Sequence, residues 1–294
     1  MKKIFSFMIA MAVMVFGSYL HADIISVNFH VGDDADAQAA HEFDGTETAG
    51  VGSFNTSFWN NVGIGAGGTN TAAAQIFAPA TLFDDSGNTS AATVTSTLTS
   101  GTSATWFGGY AASAAIFEAE LTNGISDDNL FNSYLALNGP NGDGSPTDNF
   151  VLDIAGLGLP FTANGYDLII YSDTDRGGAG ANIDNSNGAR TSAFTVTEAG
   201  GTVTALTEDD NSLPRVFDGN YILSDGNGAG TDYSNYTVIS GLSASSFSIE
   251  VTSPDGGRGG ISGFQIVATA VPEPTSAALL GLGGLGLVLR RRRS

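Results

Sequence analysis

The sequence contains no cysteine, which excludes disulfides, thiolate zinc sites and a cysteine nucleophile. Lysine occurs only at Lys2 and Lys3, and histidine only at His21, His30 and His41. Against 30 acidic residues this leaves a formal charge of −20. Such a surface repels phosphate, so nucleic acid and anionic lipid headgroups are poor partners. Tryptophan is confined to Trp59 and Trp106, whereas glycine reaches 40 residues with no collagen-like period. Glycine mixed with Thr, Ser and Asn, in a chain of 294 residues that is 42% hydrophobic, describes a turn-rich all-β protein able to bury a core.

The few basic residues collect at the two ends. Residues 1–22 carry Lys2 and Lys3, an apolar run from Ile4 to Phe16 and a small residue at Ala22. This is the build of a secretory signal peptide, with cleavage expected after Ala22. The run falls short of the roughly 20 residues that span a bilayer as a helix.

The other end, 271–294, reads VPEPTSAALLGLGGLGLVLRRRRS. Pro272 and Pro274 bias Val271 and Glu273 away from the α region, so this stretch is extended and readable by a protease. Residues 275–289 form an uncharged helical run interrupted by Gly281, Gly283, Gly284 and Gly286. Each interior glycine costs a helix about 0.8–1 kcal/mol relative to alanine, so the expected membrane anchor is weak and transient. Arg290, Arg291, Arg292 and Arg293 hold that tail on the cytoplasmic side.

A Val-Pro-Glu-Pro motif, a short apolar helix and a terminal arginine cluster, in that order, resemble the PEP-CTERM sorting signal of Gram-negative bacteria. The resemblance implies export, transient retention in the inner membrane through residues 275–289, and processing by an exosortase-type membrane protease. It also implies that Pro272, Glu273 and Pro274 are the recognition motif, and that the product reaches the cell surface or an extracellular matrix rich in polysaccharide.

Residues 23–270 show no linker, heptad or 20–50-residue repeat. Short alternating runs recur instead. Ile25, Val27 and Phe29 share one strand face and Ser26 and Asn28 the other; Phe150, Leu152 and Ile154 alternate in the same way, as do Phe194 and Val196, and Phe247, Ile249 and Val251. Residues 166–172, YDLIIYS, are apolar on both faces and read as a central strand covered twice. Clusters such as NGPNGDGSPTDN and SDGNGAGTD supply turns. The expected fold is an all-β antiparallel β-sandwich with one short helix at 126–135, capped by Ser126 or Asp127 and presenting Leu130, Phe131, Tyr134 and Leu135, plus a signal helix and a single C-terminal hydrophobic helix. Residues 111–121 fit either helix or strand.

The SVNF, WNNV, LFDDSGNTSAATVT and YDLIIYSD segments, with the closing NYTVISGLSASSFSIEV and GRGGISGFQIVA, resemble the ectodomain of secreted PEP-CTERM proteins of environmental bacteria. That type is similar to the galactose-binding-like jelly roll of carbohydrate-binding modules.

Candidate chemistry is sparse. No G-x-S-x-G elbow is present. His30 follows an apolar strand and His41 sits in an acidic loop, where each reads as an ordinary loop or edge residue. Carboxylate pairs such as Glu118 with Glu120 and Asp127 with Asp128 have the residue types of a glycosidase, but an acidic chain makes such pairs freely. Asp173, Asp175 and Asp184 stand at positions 1, 3 and 12 of a loop with Gly178 at position 6, an echo of calcium-loop spacing. Gly177 and Ala181 break that pattern at positions 5 and 9, so turns that merely use Asp and Gly remain the alternative; Asp225, Asn227 and Asp232 make a similar oxygen-rich cluster. Trp59, beside Asn60 and Asn61, and Trp106, beside Phe107 and Tyr110, are candidates for a sugar platform or for the sandwich core. The sequons at Asn55, Asn88 and Asn235 are expected by chance in an Asn- and Thr-rich chain.

The sequence therefore describes a non-enzymatic, surface-sorted protein with no cofactor other than a candidate Ca²⁺. A carbohydrate-binding module for exopolysaccharide and an envelope polysaccharide hydrolase are the alternatives. Setting aside Lys2, Lys3 and the four terminal arginines leaves only Arg176, Arg190, Arg215 and Arg258, against 29 acids once Glu273 is removed. Residues 23–271 thus carry −25.

Overall fold

The hydrophobic alternation of residues 23–268 builds two large sheets whose inner faces meet. The computed structural model describes residues 23–31, 42–64, 68–70, 77, 79–98, 105–111, 128–131, 133–138, 149–172, 190–209, 219–226, 234–252, 254 and 260–269. Their strands, in chain order, are β1 (Ile24–Val31), β2 (Asn60–Ile64), β3 (Gly68–Asn70), β4 (Ala80–Phe83), β5 (Thr89–Leu98), β6 (Thr105–Ala111), β7 (Ser133–Asn138) and β8 (Asn149–Ala155). There follow β9 (Tyr166–Tyr171), β10 (Arg190–Glu198), β11 (Gly201–Asp209), β12 (Tyr236–Leu242), β13 (Ser246–Thr252), β14 (Gly260–Ile261) and β15 (Gly263–Ala268). The described residues also include two single-turn α-helices, α1 (Asp128–Phe131) and α2 (Leu159–Thr162), and a 3-10 turn at Gly52–Phe54.

The first sheet runs β12-β9-β15-β1-β2, the second β11-β10-β13-β8-β5-β4, and a third, smaller one β14-β7-β6-β3. All pairings among these strands are antiparallel except β1 with β2, where Val27 to Val31 lie beside Asn60 to Ile64. Ile25, Val27, Phe29, Leu168, Ile170, Phe264 and Ile266 of the first sheet share one apolar cluster with Phe150, Leu152, Ile154, Phe194, Val196, Ile249 and Val251 of the second. This is the sandwich core that period-two alternation requires. Residues 23–268 form one compact unit.

The alternation expected for β1, β8, β10 and β13 holds on the core side. On β1 the opposite face is covered as well: Ser26 and Asn28 are buried. The doubly apolar YDLIIY segment is β9, an interior strand between β12 and β15.

The helix expected over 126–135 is corrected. Among the described residues of that span, 128–131 are helical, and Tyr134 and Leu135 belong to β7, in register with Tyr110 and Gly109 of β6. One helical turn is far below the length at which a helix sustains itself, and strand pairing claims the residues after it. Ser126 and Asp127 lie outside the described residues, and so does 112–121 beyond Ala111, the last residue of β6. α1 nevertheless has a packing role. A Cβ at Gly263 would sit 2.5 Å from the Val27 carbonyl oxygen and 2.8 Å from Leu130 Cδ1, so glycine lets α1 close directly on the junction of β1 and β15.

Candidate functional site

The first and second sheets end side by side at β2 and β4, and a cleft of about 260 Å³ opens along that seam. Its walls come from residues 58–62 and 80–83. Asn60 closes the seam at one point. Its Nδ2 donates to the carbonyl oxygens of Ser26 (2.8 Å) and Phe83 (2.9 Å), while its Oδ1 accepts from Phe83 N–H (2.8 Å). The primary amide thus pairs with Phe83 as a neighbouring strand would, through a side chain instead of a backbone. Beside it, Phe58 and Phe83 lie with ring centroids 6.3 Å apart and tilted by 58°. Phe83 is 37% exposed and Phe58 half-buried. The turn after β4 is fastened by Asp84, whose Oδ1 accepts from the Ser86 and Asn88 amides at 3.0 and 2.8 Å.

Among the described residues, the cleft lining pairs apolar rings with neutral amides and the Thr81 hydroxyl and contains no ionisable side chain. Such a surface can stack and hydrogen-bond a neutral ligand.

On the outer face of the first sheet, residues 42–58 fold down as a cover. Tyr171 Oη donates to Gln265 Oε1 (2.6 Å) and accepts from Val51 N–H (3.1 Å); Gln265 Nε2 donates to Ser26 Oγ (3.0 Å) and the Phe54 carbonyl (2.9 Å). Gly50 N–H donates to Tyr221 Oη at 2.9 Å. Gly50 has φ +117°, and a Cβ there would stand 2.7 Å from the Phe54 carbonyl oxygen, so only glycine fits this approach. Asn61 fastens the start of the cover, accepting from Phe43 N–H (3.1 Å) and donating to its carbonyl (2.9 Å).

Trp59 belongs to this covered layer. Its ring stacks on Phe43 (centroids 5.1 Å, interplanar 19°), meets Tyr171 edge-on at 6.0 Å, and its Nε1–H donates to the Thr56 carbonyl at 3.1 Å. Only 4% of Trp59 is exposed. An open sugar platform at Trp59 is therefore corrected to a packed aromatic, because both its ring and its donor are already engaged. Trp106 lies on β6, opposite Thr69 of β3 and Asn138 of β7. The aromatics that reach the surface at the seam are Phe58 and Phe83, which a search for tryptophan passes over. The signal for Phe83 is its position one residue after Leu82 in a strand that buries Leu82.

The remaining candidates are spread apart. His30 is within β1, opposite Gly63, not beyond its end. His41, Glu118, Glu120, Asp127, Asp173, Asp175 and Asp184 lie outside the described residues, as do Asn227 and Asp232, while Asp225 is exposed. Asp128 opens α1. Of the sequons, Asn55 and Asn88 are exposed, but Asn235 is buried, with Oδ1 accepting from Ile222 N–H (2.8 Å) and Nδ2 donating to the Asn220 carbonyl (2.9 Å). Among the described residues no group of three or more His, Cys, Asp or Glu converges on a metal position, and no helix is long and apolar enough to cross a membrane. Pro272, Glu273, Pro274 and the arginines at 290–293 lie outside the described residues.

No curated protein matches the chain. Residues 270–293 match the PEP-CTERM protein-sorting motif. That motif marks the chain as an exosortase-sorted protein, exported with a C-terminal membrane-associated tail and processed by an exosortase-type protease on its way to the surface.

Proposed function

We propose that this is a non-enzymatic surface or matrix protein whose ectodomain is a jelly roll and whose sorting tail is recognised and removed by an exosortase-type protease. The observation that carries the reading is the motif at 270–293, which contains Pro272, Glu273 and Pro274 followed by the four arginines. Glu273→Ala is expected to leave the protein in the membrane fraction with its tail attached. Normal processing of that variant, read by mass spectrometry of the C-terminus, would count against the assignment.

Strand order supports the jelly-roll winding. Taking β1, β8, β9, β10, β11, β12, β13 and β15 as eight strands in chain order, one sheet runs first, eighth, third, sixth, and the other second, seventh, fourth, fifth. This is the alternation of two Greek keys wrapped into a sandwich. β2 then extends one sheet, and β5 with β4 the other.

A second reading, a carbohydrate-binding module, is favoured by the exposed ring of Phe83 beside Phe58. Aromatic faces stack on the C–H faces of sugars. Retention on a neutral-glycan array that falls at least tenfold in Phe83→Ala (about 1.4 kcal/mol or more) would support it; no retention of the unaltered protein would discard it.

A further inference from the structure

An unprotected strand edge is an open row of backbone donors and acceptors, and folded proteins usually blunt such edges. Among the described residues, three of the four edges of the two large sheets are blunted. At β2 and β4 the Asn60 amide occupies Phe83, and β4 carries a register shift between Thr81 and Phe83. At β12 a shift falls between Ile239 and Leu242, and Leu223 forms a parallel bridge with Tyr236 that covers the beginning of the strand. β11 has none of these devices. It pairs with β10 in unbroken register from Gly201 to Asp209 and contains neither proline nor lysine.

We propose that β11 pairs antiparallel with β11 of a second copy of this chain, around a two-fold axis through Val203. The register is self-complementary. Gly201 meets Ala205, Thr202 meets Thr204, and Val203 meets itself. Thr204 already lies 3.4 Å from Thr195, hydroxyl to hydroxyl, and Thr202 lies 3.2 Å from Thr197. Placing Thr202 of one copy beside Thr204 of the other extends both hydroxyl rows across the axis without a break.

Two further features fit a second copy as the occupant. Val203 is 48% exposed although its partner Val196, on the same face, is buried in the core; an added strand would cover it. The overlap ends at Ala205, short of Glu208 and Asp209, so no acid opposes an acid within the ladder. The −25 carried by residues 23–271 of each copy opposes approach over longer range, which makes the association strengthen with salt.

The absence of cysteine gives a direct test with the full-length chain purified in a mild detergent. In Val203→Cys the two thiols sit on directly opposed residues, about 4.5–5.5 Å apart at Cα, within the span a disulfide bridges. Oxidation is expected to give a dimer linked through position 203, whereas Thr95→Cys, on the outward face of the interior strand β5, stays monomeric. Sedimentation of the unaltered protein is expected to show a dimer that tightens as salt is raised to about 0.5 M. Val203→Lys, which opposes two charges at the axis, weakens it roughly tenfold or more. A monomer at every salt concentration, equal cross-linking of both cysteine variants, or an unaffected Val203→Lys dimer would each overturn the proposal.

Discussion

Tyr166 shows how one side chain ties this fold to pH. Its ring is buried against Phe161 and Phe247, and its hydroxyl donates to the Ala244 carbonyl at 3.0 Å. Burial, and secondarily the negative charge of Glu198, push its phenol above the ordinary value. A raised pKa means the native state holds the proton more tightly than the unfolded chain. The contribution is therefore complete below the unfolded value of about 10 and is lost as pH rises from there toward the folded one. Denaturant midpoints are expected to fall above about pH 10, with a shallower slope in Tyr166→Phe; identical slopes would show that Tyr166 is not a source of the linkage. At the same scale, tryptophan was legible as a type but not as a role. Nothing in the letters around Trp59 says that Phe43, 16 positions earlier, will lie on its ring.

Among elements, the seam between β2 and β4 depends on Asn60. Asn60→Leu keeps comparable bulk but leaves Phe83 N–H, the Phe83 carbonyl and the Ser26 carbonyl without that amide. A loss of about 1–3 kcal/mol is expected from leaving buried backbone groups unsatisfied, measured as a lower urea midpoint with an unchanged slope. A midpoint equal to that of the unaltered protein would mean that water replaces the amide at no cost. Strand identity in β1, β8, β10 and β13 was legible because a half-buried strand repeats every two residues, and Phe194, Val196, Phe247 and Ile249 keep that period. The true extent of the helix near 126–135 was not, because Leu130, Phe131, Tyr134 and Leu135 satisfy a helical period locally while the pairing of β7 with β6 is non-local.

At the scale of the whole molecule, charge dominates. The exported region carries −25, and only Arg176, Arg190, Arg215 and Arg258 offset the acids. Self-repulsion of a compact acidic body is relieved by counterions, whose screening length shrinks to about 8 Å at physiological ionic strength. The melting temperature is expected to rise between very low salt and about 0.15 M; a flat dependence would show that the acids are dispersed widely enough not to repel.

The sequence by itself determined the C-terminal sorting motif, the acidity of the region before it and the inward face of each principal strand, because all three depend on local composition or on a period of two. Tertiary structure alone decided that Ser26, Asn28 and Gln265 are buried, that Trp59 is a packed ring and Phe83 an exposed one, and that β11 ends its sheet among the described strands. Those outcomes depend on which segment crosses which sheet. Residues 42–58 bury polar groups that alternation assigns to solvent, because Tyr171, Asn61 and Gln265 supply the hydrogen bonds that water would otherwise provide.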